Sequence, residues 1–455
     1  MIDLLEIGER ARTGPKMEEN SWNLGLFKKM ESLTKEYRLT RPKELTIFSS
    51  DEEMAQRAFD AGVEFLSTTG VYCSTTHRTI ALSKDEIVEA IREIPGEVIV
   101  GQGRDSRVIR KREIEDPRPP NVVGGLHAPY PENLLDLVPK NFAQIPRSDM
   151  IESFNLVTIG GRDVIGPALE AYAARSAVAH MREGVRKAGR PGMAISYYPI
   201  STGVHSMLAP MDPEYCLRRT DGVLLSVLPD VKTDYDSITS AVVYEDYGSY
   251  KFNGGPDVFI GGFCGGSEGA VVESIVRAIA AWIIYRDDIQ EAGTFFRMGP
   301  GDPVVSPPLW ESSIVHHALC GNSDIIRFSS MIFVGFEPCT DFCLYEKAIT
   351  SIRAVMDGFN IYISRAFAQN RGQTPLEVEF MVEVSDAILK GKFKREEASQ
   401  VIDKLLKKLV GKPIPEGKSI TQCYDLVRHK PSKEYEAIYR SVKEELRSMG
   451  LEFEY

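Results

Sequence analysis

No stretch of this chain approaches the roughly 20 consecutive apolar residues that cross a bilayer. The opening Met1-Ile2-Asp3-Leu4-Leu5-Glu6 also lacks the basic-then-apolar order of a secretory signal, so a membrane protein is not expected and the cytoplasm is the expected location. Cysteine is sparse: seven in 455 residues, odd in number and scattered, fit reduced thiols better than a disulfide framework. Basic charge is short as well. With 65 acidic against 54 basic residues and a net charge of -11, nucleic acid is not an expected partner, because neutralising phosphates needs a concentrated basic surface. The one basic knot, Arg104, Arg107, Arg110, Lys111 and Arg112, reads as a solvated face or a subunit contact. Gly101-Gln102-Gly103-Arg104 and Gly124-Gly125 do not complete a dinucleotide-binding fingerprint. There is no low-complexity tract.

What is present is a composition of 43% hydrophobic and 26% charged residues, enough to bury a sizeable core. From about position 95, β-rich apolar runs alternate with helical stretches, the order that builds a parallel sheet covered by helices. The runs begin at Val98, Asn121, Asn155, Gly192, Val223, Asp257, Thr294 and Ile326. Eight strands at this spacing predict a closed (β/α)8 TIM barrel, in which Val223 to Leu228 and Asp257 to Gly262 share one sheet. Segments 166 to 187 and 265 to 284 read as crossover helices. Helices are also expected at Trp22 to Tyr37, Ser50 to Ser67 and Ser83 to Ile94, the latter two with capping-box character. Further helices are expected at Thr340 to Asn370, Leu376 to Leu389, Arg395 to Leu409 and Ser432 to Met449, with a loop at 411 to 418. The domain reading is an N-terminal helical extension over 1–94, the barrel over 95–340 and C-terminal helices over 341–455.

The segment Ala188-Gly189-Arg190-Pro191-Gly192-Met193-Ala194-Ile195-Ser196 resembles the stretch that carries pyrrolysine in archaeal monomethylamine:corrinoid methyltransferases. The resemblance continues through Tyr72-Cys73-Ser74-Thr75-Thr76-His77-Arg78, Gly101 to Arg112, Asp257 to Gly266, Arg297, Pro338 to Leu344 with Glu346, Gln422-Cys423-Tyr424-Asp425, Glu434-Tyr435 and Gly450-Leu451. It implies an eight-stranded βα barrel, in agreement with the count of strands. It also places Ser196 where the family has pyrrolysine, Gly254-Gly255-Pro256 where it has a carboxylate, Leu224 at a second glutamate and Met331 at a glutamine. An unactivated serine hydroxyl cannot capture an amine as the pyrrolysine imine does, so the resemblance implies the same scaffold working without pyrrolysine.

In a βα barrel the active site forms at the C-terminal ends of the strands. The residues expected there are Ser196, Tyr197, Tyr198 and His205 after the fourth run, Asp257, Arg297, Met331 and Glu337. His205, Arg297 and Glu337 are the catalytic candidates; Ser196, Tyr197, Tyr198, Asp257 and Met331 are the substrate-binding ones. Ser196 lacks the elbow of a nucleophilic serine and reads as a small polar pocket residue, forming no covalent adduct. Tyr197 and Tyr198 either offer ring faces to a cation or pack the rim. His205 could donate a proton to a leaving group, or be an ordinary loop residue. Arg297 on an apolar strand needs Asp257, Glu337 or a substrate carboxylate. His316-His317 with Cys320, and Cys339 with Cys343, invite a metal reading, but neither completes the usual ligand set, and no metal is expected.

The family implies transfer of a methyl group from a small methylated compound to a corrinoid carried by a separate cognate protein. A quaternary ammonium is the favoured donor, since it is already activated and pyrrolysine-lacking relatives in the distantly comparable trimethylamine methyltransferase family use such amines. An O-methyl or S-methyl donor, or a non-catalytic barrel that binds a ligand or scaffolds the corrinoid protein, are the alternatives. A homo-oligomer with a role related to methanogenesis is expected.

Overall fold

Eight parallel strands close on themselves in a computed structural model of the chain. The structure describes residues 2–44, 46–125, 130, 132–255, 258–297, 307–330, 337–362 and 373–453, giving the backbone alone for Arg297 and Tyr362. The barrel strands are β1 (Val122–Gly124), β2 (Met150–Glu152), β3 (Ala194–Tyr197), β4 (Gly222–Leu224), β5 (Tyr250–Asn253), β6 (Ile289–Glu291), β7 (Ile326–Ser329) and β8 (Asn360–Tyr362). Each pairs with the next, and β8 returns to β1. Followed once around from Met150, the pairings step forward by two residues at β3, β5, β7 and β8 before returning to Met150. That is the shear of eight of a TIM barrel. The expected fold class is therefore what the chain adopts.

Half of the expected strands are different segments. The runs from Asn121, Gly192, Val223 and Ile326 supply β1, β3, β4 and β7. The Val98 run instead forms an antiparallel hairpin, Glu97–Val100 with Arg107–Arg110. Its Val100 and Ile109 join the side chains that fill the barrel interior, closing the N-terminal ends of the strands. The Asn155 run gives only Thr158–Ile159, paired with Arg162–Asp163 at the surface. The runs from Asp257 and Thr294 pair with each other, Val258–Ile260 against Phe295–Arg297, in a separate two-stranded parallel sheet. Val223 and Val258 thus lie in different sheets, contrary to expectation. The true strands at these places, β2, β5 and β6, have three or four residues each, too few to display a period.

The helix expected over Thr340 to Asn370 stops at Met356, and residues 360–362 become β8. Gly358 makes the break: it sits at φ +64°, and a Cβ there would lie 1.9 Å from the Glu113 carbonyl, so both backbone handedness and space demand glycine. The barrel's strands consequently run from 122 to 362. The other expected helices are present as Glu19–Glu36, Glu52–Thr69, Lys84–Arg92, Pro167–Lys187, Ser267–Tyr285, Pro375–Lys390, Arg395–Leu409 and Lys433–Ser448, joined by Leu4–Thr13, Tyr235–Tyr247 and Leu309–Asn322, which were not expected. Helix Ser267–Tyr285 is buried on every side, because the N-terminal helices cover the face that would otherwise meet solvent. None of the described helices is long and apolar enough to cross a membrane.

The basic knot lies on and beside the hairpin and is held by local contacts. Arg107 meets Asp149 at 3.4 Å, Arg110 meets Glu97 at 3.0 Å and Lys111 meets Asp324 at 3.1 Å. Arg112 is buried and donates to the carbonyls of Ala354, Asp116, Arg118 and Phe359.

Candidate functional site

Alternation along the strands decides which side chains face inward. Met150, Ala194, Tyr250, Phe252, Ile289 and Phe328 fill the interior, so two-residue steps along β2, β3 and β6 bring Glu152, Ser196 and Glu291 to the same side. Ser196 is buried one residue from the end of β3. Its Oγ lies 2.8 Å from Tyr250 Oη and donates to Met150 Sδ at 3.3 Å. Gly222, between them on β4, makes this contact possible: it pairs with both Ser196 and Tyr250, and a Cβ there would lie 2.1 Å from the Tyr250 ring. Burial pushes the Tyr250 hydroxyl far above its ordinary range, so it stays protonated.

Above this pair lies a cavity lined by Val123, Met150, Ser196, Phe252, Ile289 and Phe328 together with Asn253, Gly254 and Glu291. Its enclosed room is about 10 Å³, enough for one water- or methyl-sized group. The walls are apolar and Glu291 brings a carboxylate to the rim. Glu291 Oε2 accepts from the Gly255 N–H at 3.0 Å and Oε1 from the Ser330 hydroxyl at 3.0 Å. Glu152 ends β2 fully buried, level with Ser196.

The structure parts the two tyrosines. Tyr197 is turned out of the barrel and donates to the Ser206 carbonyl at 2.9 Å, whereas Tyr198 is half-buried and packs against the interior side chains. His205 sits in the short helix Val204–Leu208 after β3, with Nε2 2.9 Å from Glu170 Oε2; the same oxygen accepts from Ser201 Oγ at 2.5 Å. The Ser201 hydroxyl and then His205 hold the Glu170 carboxyl below its usual range. Glu337 does not join the cavity: its Oε2 accepts from the Gly417 N–H at 2.7 Å, within the C-terminal segment. Asp257 and Met331 lie outside the described residues, as does the side chain of Arg297, whose backbone pairs with Ile260.

The metal candidates scatter. His316 is buried and stacked on Phe359 at 4.5 Å, and burial drives it well below its usual basicity. His317 Nε2 lies 3.1 Å from Arg395, and Cys320 Sγ donates to Glu113 at 3.1 Å. Among the described residues no three His, Cys, Asp or Glu side chains form a metal-holding group. Glu152, Glu291 and Tyr250 went unrecognised in the sequence because their strands did. The signal is there in retrospect: Met150-Ile151-Glu152 and Ile289-Gln290-Glu291 each set an apolar residue and a carboxylate two apart, on one face of a strand.

A TIM barrel with its polar side chains gathered near the C-terminal ends of the strands is the architecture of a small-molecule enzyme. Residues 2–451 match the model of the family described as monomethylamine methyltransferase MtmB, and the chain belongs to that family of methyltransferases. It is 27% identical to the monomethylamine methyltransferase MtmB2 of Methanosarcina acetivorans and 28% identical to MtmB of Methanosarcina mazei, over 99% of both chains in each comparison. It superposes on the crystal structure of Methanosarcina barkeri monomethylamine methyltransferase with a TM-score of 0.90 and 25% identity, covering 99% of each chain. The hydroxylamine complex of MtmB gives the same TM-score of 0.90.

Proposed function

We propose that this methyltransferase moves a methyl group from a small methylated ammonium compound, a quaternary one by preference, to a corrinoid protein, and does so without pyrrolysine. The observation that carries the reading is the environment of Ser196. Its hydroxyl is hydrogen-bonded to Tyr250 and Met150, neither of which is a base or an electrophile, and this favours binding and positioning over covalent capture.

The reduced cobalt of the partner's corrinoid supplies the electron pair that takes the methyl group. The chain's own residues orient the donor. When the nitrogen is quaternary it departs as a neutral tertiary amine, keeping the electron pair of the broken C–N bond, and no proton has to move. With room for one methyl-sized group, the cavity walls Val123, Met150, Phe252, Ile289 and Phe328 offer one methyl arm of such a donor surfaces that ask for no hydrogen bond. A primary ammonium would carry three N–H groups, and each one left against those walls instead of meeting Glu291, Asn253 or Ser196 would cost about 1–3 kcal/mol. The ring faces of Phe252 and Phe328 suit a cation.

A corrinoid protein and a homo-oligomeric contact both need apolar surface. The groove formed by Leu24, Phe27, Phe259 and Phe263 beside Pro229 is one, bordering the loops that leave β4 and β5. The seven cysteines are free thiols, which suits the cytoplasm.

The test is methyl-cobalamin formation by the purified protein with its corrinoid partner, across tetramethylammonium, glycine betaine, monomethylamine, methanol and dimethyl sulfide. Turnover of a quaternary amine, with monomethylamine inert, is expected. Monomethylamine as the sole donor refutes the substrate assignment; methanol or dimethyl sulfide as the sole donor moves it to oxygen or sulfur; no transfer from any donor refutes the reaction.

A further inference from the structure

We infer that Glu291 is the specificity-determining residue that makes this site choose a positively charged methyl donor over a neutral one, an inference that rests on the methyl-transfer reading above. Glu291 ends β6 on the inward face, two residues beyond Ile289, and lines the same cavity as Ser196. The remainder of that lining is almost wholly apolar, and a carboxylate acts more strongly on a cation there than in water because less solvent screens it.

Two independent donors fix the carboxylate in place. The Gly255 N–H holds Oε2 and the Ser330 hydroxyl holds Oε1, each at 3.0 Å, from loops that leave β5 and β7 on either side of β6. The neighbouring Gly254 keeps the approach open. A Cβ at that position would lie 3.3 Å from Glu291 Oε2 and 2.8 Å from Leu224 Cδ1, so any side chain there would crowd the face of the carboxylate that borders the cavity.

The chemistry specifies what Glu291 does. In the reaction the bond from nitrogen to the methyl carbon breaks, the electron pair stays on nitrogen, and a new bond joins that carbon to the acceptor. The donor's positive charge disappears as the bond breaks. A carboxylate beside the nitrogen therefore binds the ground state better than the transition state, and its removal weakens donor binding without slowing the chemical step.

Steady-state methyl transfer from tetramethylammonium by the full chain with its corrinoid partner tests this in Glu291→Gln and Glu291→Asp, with dimethyl sulfide as the neutral probe. For Glu291→Gln, KM for the cation rises about ten- to a hundredfold while kcat stays within about twofold. Glu291→Asp restores most of the loss, and any turnover of dimethyl sulfide is unaffected. A KM unchanged in Glu291→Gln, or a kcat that falls with KM constant, overturns the inference while leaving the methyl-transfer reading intact. A wild-type protein that uses no cation at all overturns both. Should Glu291→Gln fail to fold, Ser330→Ala removes one of the two donors: a severalfold rise in KM for the cation alone supports the role, and an unchanged KM sinks it.

Discussion

Ser196 and Tyr250 depend on a residue with no side chain. A Cβ at Gly222 would penetrate the Tyr250 ring at 2.1–2.6 Å, and in a close-packed interior the ring has nowhere to go. Gly222→Ala should cost about 3 kcal/mol or more, read as a lowered denaturation midpoint at constant m-value. Ser196→Ala removes the hydrogen bond with Tyr250 and the weaker one to Met150 Sδ, and leaves Tyr250 Oη 3.5 Å from Met150 Sδ, so a loss of about 1–2 kcal/mol in stability and only a modest loss of activity is expected. A donor-derived adduct on Ser196, seen by mass spectrometry, would contradict the positioning role. Glu273 carries a pH signature. It is fully buried, and desolvation, then Asp230, push its carboxyl up to about 7. Between the ordinary carboxylate range and pH 7 the native state keeps a proton that the unfolded chain has lost, so this group's contribution falls as pH rises through that window and levels off above it. Glu273→Gln should remove that slope, worth at most about 3 kcal/mol, in denaturation curves compared at pH 5 and pH 8.

Among the elements, helix Lys84–Arg92 shows how local chemistry and tertiary contact share a residue. Ser83 and Glu86 form the reciprocal capping box that the sequence pattern announces. Glu86 also accepts both arms of Arg10 from helix Leu4–Thr13, at 2.7 and 3.1 Å, and Arg10 above all holds its carboxyl at about 2. A depressed carboxylate stabilises the fold above its unfolded range and ceases to do so as pH falls through about 2. Ser83→Ala should cost about 1 kcal/mol and show as faster amide exchange confined to helix Lys84–Arg92. The barrel strands are the contrary case. Each is only three or four residues long, and their stability comes from neighbours on both sides and helices outside, so nothing in their own composition marks them.

At the scale of the molecule, the barrel closes where chain segments remote in sequence meet. Arg327, on the outer face of β7, is fully buried and donates to the carbonyls of His316, Asp357, Gly358 and Arg112. Arg112 in turn reaches Ala354 and Phe359, and Asn360 Oδ1 accepts from the Asn121 N–H at 2.9 Å. These contacts clamp β8 to β1 and β7. Arg327→Met keeps the apolar stem and strips the donors, leaving several buried carbonyls unmet, and should cost about 3 kcal/mol or more, measured as a loss of chevron-derived stability.

The sequence alone was enough for the fold class, for most of the long helices and the cap at Ser83, and for the family, because those signals are local or accumulate over hundreds of residues; the capping box expected at Ser50 gives way to Asp51 as the N-cap. Helix Arg395–Leu409 and the box at Ser83 are legible because period and capping act within a few positions. Tertiary structure alone decided which apolar runs enter the barrel. Val258–Ile260 and Phe295–Arg297 look like barrel strands and are not, whereas Met150–Glu152, Tyr250–Asn253 and Ile289–Glu291 scarcely look like strands and are. It alone turned Tyr197 outward and brought Glu291 to the cavity of Ser196, 95 positions earlier in the chain. The physical reason is that a strand's membership and facing are set by hydrogen bonds and packing from its two neighbours, which lie tens of residues away, while a helix satisfies its own backbone.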